Sequence, residues 1–146
     1  MTQICMNATT HSEQETKQIA AEFAAELRGG EVVFLHGDLG SGKTTFVRGV
    51  AQALGFVEPV RSPTFTIVNR YPVARGEIKQ ILHVDLYRID DPAELAPLAL
   101  EEEVGQPDTI TFIEWPDLVS HSLKPSHRID LTVVLEGRCI SINRSH

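Results

Sequence analysis

His36-Gly37-Asp38-Leu39-Gly40-Ser41-Gly42-Lys43-Thr44-Thr45 fits the pattern G-x-x-x-x-G-K-[ST], with Gly37, Gly42, Lys43 and Thr44 at its fixed positions. Glycines at 37, 40 and 42 let the backbone take conformations closed to residues with a Cβ, so successive N–H groups can turn inward onto an anion. A helix beginning where the loop ends aims the positive end of its dipole at the same anion. In such a loop Asp38, Leu39, Ser41 and Thr45 complete the cradle. Lys43 reaches the β- and γ-phosphates, and the Thr44 hydroxyl can ligate a magnesium ion.

The flanking sequence decides between this and a glycine-rich turn beside a surface lysine. Glu31-Val32-Val33-Phe34-Leu35 reads as a buried strand entering the loop. Phe46, Val47, Val50, Ala51 and Leu54 form a helical stripe that Gly55 ends. Strand, loop and helix in that order are what a phosphate-binding loop needs, and an ordinary turn does not. The expectation is nucleotide binding.

Composition sets the wider bounds. The 146 residues are expected to form one domain, 1–146, with a core of its own. No apolar run is long enough to span a bilayer, and the N-terminus lacks the basic start and apolar stretch of a secretory signal. Cys5 and Cys139 form no metal-ligand pattern and suggest no disulfide scaffold, so a cytoplasmic protein with no membrane partner is expected. A net charge of −7 argues against nucleic acid as the main partner. Arg61, Arg70, Arg75 and Arg88 read as solvated surface.

Along the chain, residues 1–11 carry no pattern and read as a loose or edge segment. Ser12-Glu13-Gln14-Glu15 is a capping box, and Ile19, Ala20, Phe23, Ala24 and Leu27 follow at helical spacing to Gly29-Gly30. Phe65 to Tyr71 and Ile78 to Leu86 read as two strands joined around Ala74 to Glu77. That link is too short for a helical crossover, so the strands pair antiparallel. Asp91 caps a helix with Pro92 in its first turn, and Pro97 splits Leu95 to Val104 into two short helical pieces. Glu101 to Glu103 read as an exposed face. Thr109 to Ile113 is a buried strand. A last hairpin alternates Ile129, Leu131, Val133 and Leu135, turns at Glu136-Gly137, and returns through Ile140 and Ile142. The fold class is therefore α/β: a three-layer P-loop nucleotide-hydrolase type, its mixed sheet combining a parallel core with antiparallel hairpin strands.

A phosphate loop that uses magnesium needs a carboxylate at a neighbouring strand end. Asp85, after Ile81-Leu82-His83-Val84, and Glu114, after the strand Thr109 to Ile113, are the candidates. Asp85 would hold the metal; Glu114 would hold it too or orient the attacking water. Either carboxylate could instead cap its strand or pair with an arginine such as Arg88. His83 lies on the Asp85 face of its strand, where it can orient Asp85 or Thr64 or serve only the structure. Trp115, the only tryptophan, packs in the core, walls the nucleotide site or offers a partner surface. Ser62 and Thr64, around Pro63, could form a switch turn that senses the γ-phosphate.

Together, Gly37 to Thr45, Ser62-Pro63-Thr64-Phe65, His83-Val84-Asp85-Leu86-Tyr87-Arg88 and Ile113-Glu114-Trp115-Pro116 resemble the TsaE (YjeE) family of small bacterial P-loop ATPases. The resemblance runs from about Ser12 to Pro116, and Ser41 stands where the family commonly has alanine. It implies a protein that binds ATP with Mg2+, hydrolyses it slowly alone, and supports threonylcarbamoyladenosine modification of tRNA. The TsaD and TsaB proteins would be its partners, and tRNA an indirect one. It also implies that Lys43 and Thr44 hold phosphate and metal and that Asp85 holds the metal. Glu114 would hold the metal or the catalytic water, and Ser62 and Thr64 would belong to the switch. Two other classes are weaker. A small-molecule kinase of the P-loop class needs a basic lid that the motifs do not bracket, and a GTP switch needs an Asn-Lys-x-Asp stretch that is not present.

Overall fold

The structure, a computed structural model, describes residues 4–56 and 67–145. Seven strands form one mixed sheet: β1 (Ile4–Thr10), β2 (Val32–His36), β3 (Val68–Arg75), β4 (Ile78–Asp85), β5 (Thr109–Glu114), β6 (His127–Val134) and β7 (Gly137–Arg144). Their order across the sheet is β1-β7-β6-β2-β5-β4-β3. The central four, β6, β2, β5 and β4, run parallel, and antiparallel partners close both flanks. This is the expected parallel core with hairpin strands. Every residue of β5 is buried, as a strand covered on both faces must be. The patternless first residues are the edge strand β1, with Ala8 opposite Ile140. The other edge, β3, contains Pro72, where a missing N–H is tolerated, and its register shifts between Pro72 and Arg75.

Two helices, α1 (Glu13–Ala24) and α2 (Lys43–Ala53), cover one face. Phe23 and Phe46 meet between them with ring centroids 5.7 Å apart, above Val33, Leu35, Ile81, Phe112 and Ile129 of the sheet. The other face is built differently. Short 3-10 turns, Pro92–Leu98, Leu100–Glu102 and Pro116–Leu118, place Leu100 and Val119 against Val32, Phe34, Leu82, Val84 and Ile113. The Asp91 capping box forms in full, with Pro92 at the first position. Pro97 has no N–H to continue an α-helix, which accounts for the two short pieces.

Three expectations shift in detail. Ser12 caps α1, its hydroxyl accepting the Glu15 N–H at 3.1 Å, but the Glu15 carboxylate reaches the His11 N–H at 2.9 Å rather than that of Ser12. The helix stops at Ala24, not near Gly29. Leu27 stays buried through a tightened turn, its N–H on the Ala24 carbonyl at 3.1 Å. The Arg75 guanidinium bonds the same carbonyl, and Arg70 pairs with Glu103, so neither is simply solvated surface. Arg61 lies outside the described residues.

The larger correction is at the last hairpin. Val133 and Leu135 are exposed, Leu135 completely, although their alternation reads as a buried face. β2 pairs with β6 only as far as His36 opposite Asp130. Beyond that point β6 has only β7 beside it, and the hairpin tip runs past the layers that would cover it.

Candidate active site

Parallel strands β2, β4 and β5 finish at the same edge of the sheet, the edge where open α/β sheets bind ligands. Asp85 stands directly opposite Glu114, and Glu114 is also in register with Leu35, just before the loop. The two expected carboxylates are therefore neighbours beside the loop.

Gly37, Gly40 and Gly42 all have positive φ, at 153°, 79° and 105°, which allows the chain to turn back tightly before α2. Gly37 is also sterically required. A Cβ there would lie 2.5 Å from Ser41 Oγ and 2.6 Å from the Leu131 carbonyl oxygen. At the first position of α2, Lys43 is buried, unusual for a lysine without a compensating partner. Its Nζ donates to the Gly37 carbonyl at 2.7 Å, lies 3.5 Å from Glu114 Oε1, and sits 4.3 Å from the centroid of the Trp115 ring.

A cavity of about 840 Å³ opens above these groups, within the range of small-molecule sites. Lys43, Thr44, Asp85 and Glu114 line it, together with Leu39, Gly40, Gly42 and Thr45 from the loop. Gly37, Asp38 and Ser41 do not. Ser41 is buried beneath the loop with an Oγ that has no hydrogen-bond partner among the described residues. Ser62 and Thr64 lie outside the described residues. One hydroxyl and two carboxylates around a phosphate cradle are the sparse oxygen set magnesium takes when phosphates supply other ligands, so the residues fit that ion.

Glu114 and Asp85 are tuned in opposite directions. Burial is the strongest single influence on Glu114 and favours its neutral form. The His83 hydrogen bond, reinforced by His83 and Lys43 charge, outweighs it and holds the carboxyl below the ordinary glutamate value. Asp85 is pushed above its ordinary value by burial and the charge of Glu114. The Tyr87 N–H, which donates to Oδ1 at 3.0 Å, offsets this only in part. The geometry thus favours the ionised form of the carboxylate beside the lysine and disfavours that of its neighbour.

His83 is where residue spacing alone pointed least clearly. It is fully buried, and its Nε2 lies 2.6 Å from Glu114 Oε2, so among the described residues its partner is Glu114 and not Asp85. Thr64 lies outside the described residues. Trp115 packs against the second core cluster and is not among the residues that line the cavity; it holds φ 57°, packs on Tyr87 with ring centroids 5.1 Å apart, and carries the Lys43 ammonium on its face. Arg88 lines the cavity beside Asp85. Arg138 lines it from the opposite side and donates to the Gly40 carbonyl at 3.1 Å. Nothing in the sequence around Arg138 signals that position, because pairing with β1 and β6 is what carries it to the loop. The start of α1, including Ser12 and Thr16, forms another wall.

The family model described as "Threonylcarbamoyl adenosine biosynthesis protein TsaE" matches residues 10–141, and so includes most of the last hairpin. The chain is 39% identical over 129 residues to the tRNA threonylcarbamoyladenosine biosynthesis protein TsaE of Bacillus subtilis, covering 88% of this chain and 77% of that one. It is 50% identical over 108 residues to the protein of the same name from Aquifex aeolicus, covering 73% of each. The crystal structure of Bacillus subtilis YdiB superposes with a TM-score of 0.75 at 30% identity, covering 100% of this chain and 89% of that one.

Proposed function

The chain belongs to the TsaE family of tRNA threonylcarbamoyladenosine biosynthesis proteins, and from that premise we propose that its loop binds ATP with magnesium and hydrolyses it in a cycle shared with TsaD and TsaB. The observation that carries the reading is Lys43. A buried ammonium lies between a loop carbonyl and Glu114 at the wall of a cavity, where a phosphate would give it a stronger partner than either.

Each residue has a role in this reading. Loop N–H groups and the start of α2 hold the phosphates, and Lys43 neutralises charge on the transferring group. Thr44 and Asp85 would hold the magnesium, with Glu114 directed to the metal or to the attacking water. Bound magnesium would neutralise charge on the phosphate oxygens. Glu114, ionised and beside the loop, is placed to orient a water and accept its proton as the terminal phosphate bond breaks. Hydrolysis resets the partner complex rather than forming the threonylcarbamoyl bond.

Phosphate release measured with magnesium and a panel of nucleotides tests the reading. ATP is expected to be hydrolysed in preference to GTP, and faster once TsaD and TsaB are added. Preference for GTP, or phosphate transferred to a small acceptor instead of to water, would overturn it. Among the described residues, no helix is long and apolar enough to cross a membrane.

A further inference from the structure

Glu114 has two oxygens and two different partners. Oε2 takes the His83 Nε2 at 2.6 Å, and Oε1 faces the Lys43 Nζ at 3.5 Å. An ionised carboxylate only accepts hydrogen bonds, so His83 must carry its proton on Nε2. The His83 ring is fully buried in β4, and its Nδ1 has no partner among the described residues. Its one polar contact within that set is therefore directed at Glu114. The two contacts differ in how readily they break. His83 is fixed by its strand and by packing near Tyr71, with ring centroids 6.3 Å apart. Lys43 hangs on a flexible stem, and its other polar partner is a neutral carbonyl.

We propose that His83 is a positioning residue that holds one oxygen of Glu114 while Lys43 occupies the other, so that capture of a phosphate by Lys43 frees a single, already oriented oxygen for the attacking water. This deepens the ATPase reading and rests on it. The carboxylate is engaged on both sides, and with a phosphate on Lys43 it would be engaged only by His83. The same lysine then couples filling of the loop to exposure of the base. Without His83, the carboxylate released by Lys43 would be free to rotate, and its orientation toward water would be lost.

The test compares wild type, His83→Phe and His83→Gln, each also combined with Glu114→Gln. Mg-ATP affinity is read from the fluorescence of Trp115, the only tryptophan, and turnover from phosphate release. His83→Phe is expected to lower kcat by about tenfold or more while affinity stays within about threefold, and to cost nothing further once Glu114 is glutamine. His83→Gln, which keeps an N–H near the Nε2 position, is expected to retain kcat within about threefold. A His83→Phe rate within about twofold of wild type, or an equal loss in the Glu114→Gln background, would overturn the inference. Should His83→Phe not fold, His83→Gln decides: retained rate supports positioning, and equal losses of rate and affinity overturn it.

A nitrogen-15 imidazole spectrum adds a readout independent of turnover. Nε2 of His83 should carry a proton before nucleotide is added and keep it when a non-hydrolysable magnesium–ATP analogue is added. A bare Nε2 before nucleotide is added would contradict the contact itself. Wild-type protein that does not bind Mg-ATP at all would instead sink the ATPase reading, a distinct result.

Discussion

Lys43 and Glu114 face each other at 3.5 Å, both almost wholly buried, at the point where the glycine-rich loop meets the end of β5. Such a pair is costly to desolvate and costly to break. Here each member has other partners, Gly37 and Trp115 for the lysine and His83 for the glutamate. The two charges are therefore held against each other beside the loop.

Lys43→Ala should remove both functions of that ammonium. Mg-ATP affinity and turnover are expected to fall together, turnover by about a hundredfold or more. The nucleotide-free protein should also lose about 1–3 kcal/mol of stability in urea unfolding, because Glu114 stays buried with His83 alone. Unchanged turnover would refute the placement of Lys43 on the phosphate.

Trp115 should report the movement of Lys43. The ammonium lies 4.3 Å from its ring centroid, an attraction of about 0.5–2 kcal/mol that a phosphate would compete for. Emission is expected to change saturably as Mg-ATP is added. In Lys43→Met the nucleotide-free spectrum should already resemble the nucleotide-bound spectrum of wild type. Identical spectra for nucleotide-free wild type and Lys43→Met would mean that the ring does not sense the cation.

Asp85 gives a pH prediction whose sign is opposite to that of a salt-bridged carboxylate. Burial and the charge of Glu114 raise its value in the folded protein. Its favourable contribution is thus full below the ordinary aspartate value and is lost as pH rises through the folded value. At neutral pH the ionised group weakens the nucleotide-free fold. Asp85→Asn keeps an oxygen for the Tyr87 N–H and should raise Tm at pH 7 by about 1–3 °C, with the gain vanishing in acid. Magnesium-dependent nucleotide binding should fall in the same variant. A lower Tm at pH 7 would contradict this assignment.

Leu135 and Ile140 lie on one hairpin and should behave in opposite ways. Ile140 is fully buried in the core beside the helices, so Ile140→Ala should cost about 2–5 kcal/mol. Leu135 is fully exposed, and Leu135→Ser should change stability by no more than about 0.5 kcal/mol. Comparable losses from both would place the hairpin tip back in the core.

Much of this architecture was legible because local chemistry and global fold agree. The loop from Gly37 to Thr45, the Asp91 cap with Pro92, and the short link around Gly76 each contain the residues their backbone needs. The ends of β4 and β5 were legible as carboxylates, since Asp85 and Glu114 follow apolar runs. What was not legible depends on register and layer edges. Period-two alternation places His83 on the Asp85 face, but only the pairing of Asp85 with Glu114 across β4 and β5 brings His83 within reach of Glu114. Alternation likewise marks Val133 and Leu135 as apolar on one face without saying where the covering layers end. Arg138 reaches the loop through pairings with two strands distant from the motif. The left-handed backbone of Trp115 has no cue in its residue type.

Whether this loop and Glu114 form a hydrolytic site can be read from the chemical step alone. The most direct measurement is single-turnover phosphate release from Mg-ATP by wild type and Glu114→Gln, with affinity measured on the same samples. In Glu114→Gln the hydrolysis rate is expected to fall by about a hundredfold with affinity changed by less than about threefold. An unchanged rate, or rate and affinity lost in equal measure, would contradict it.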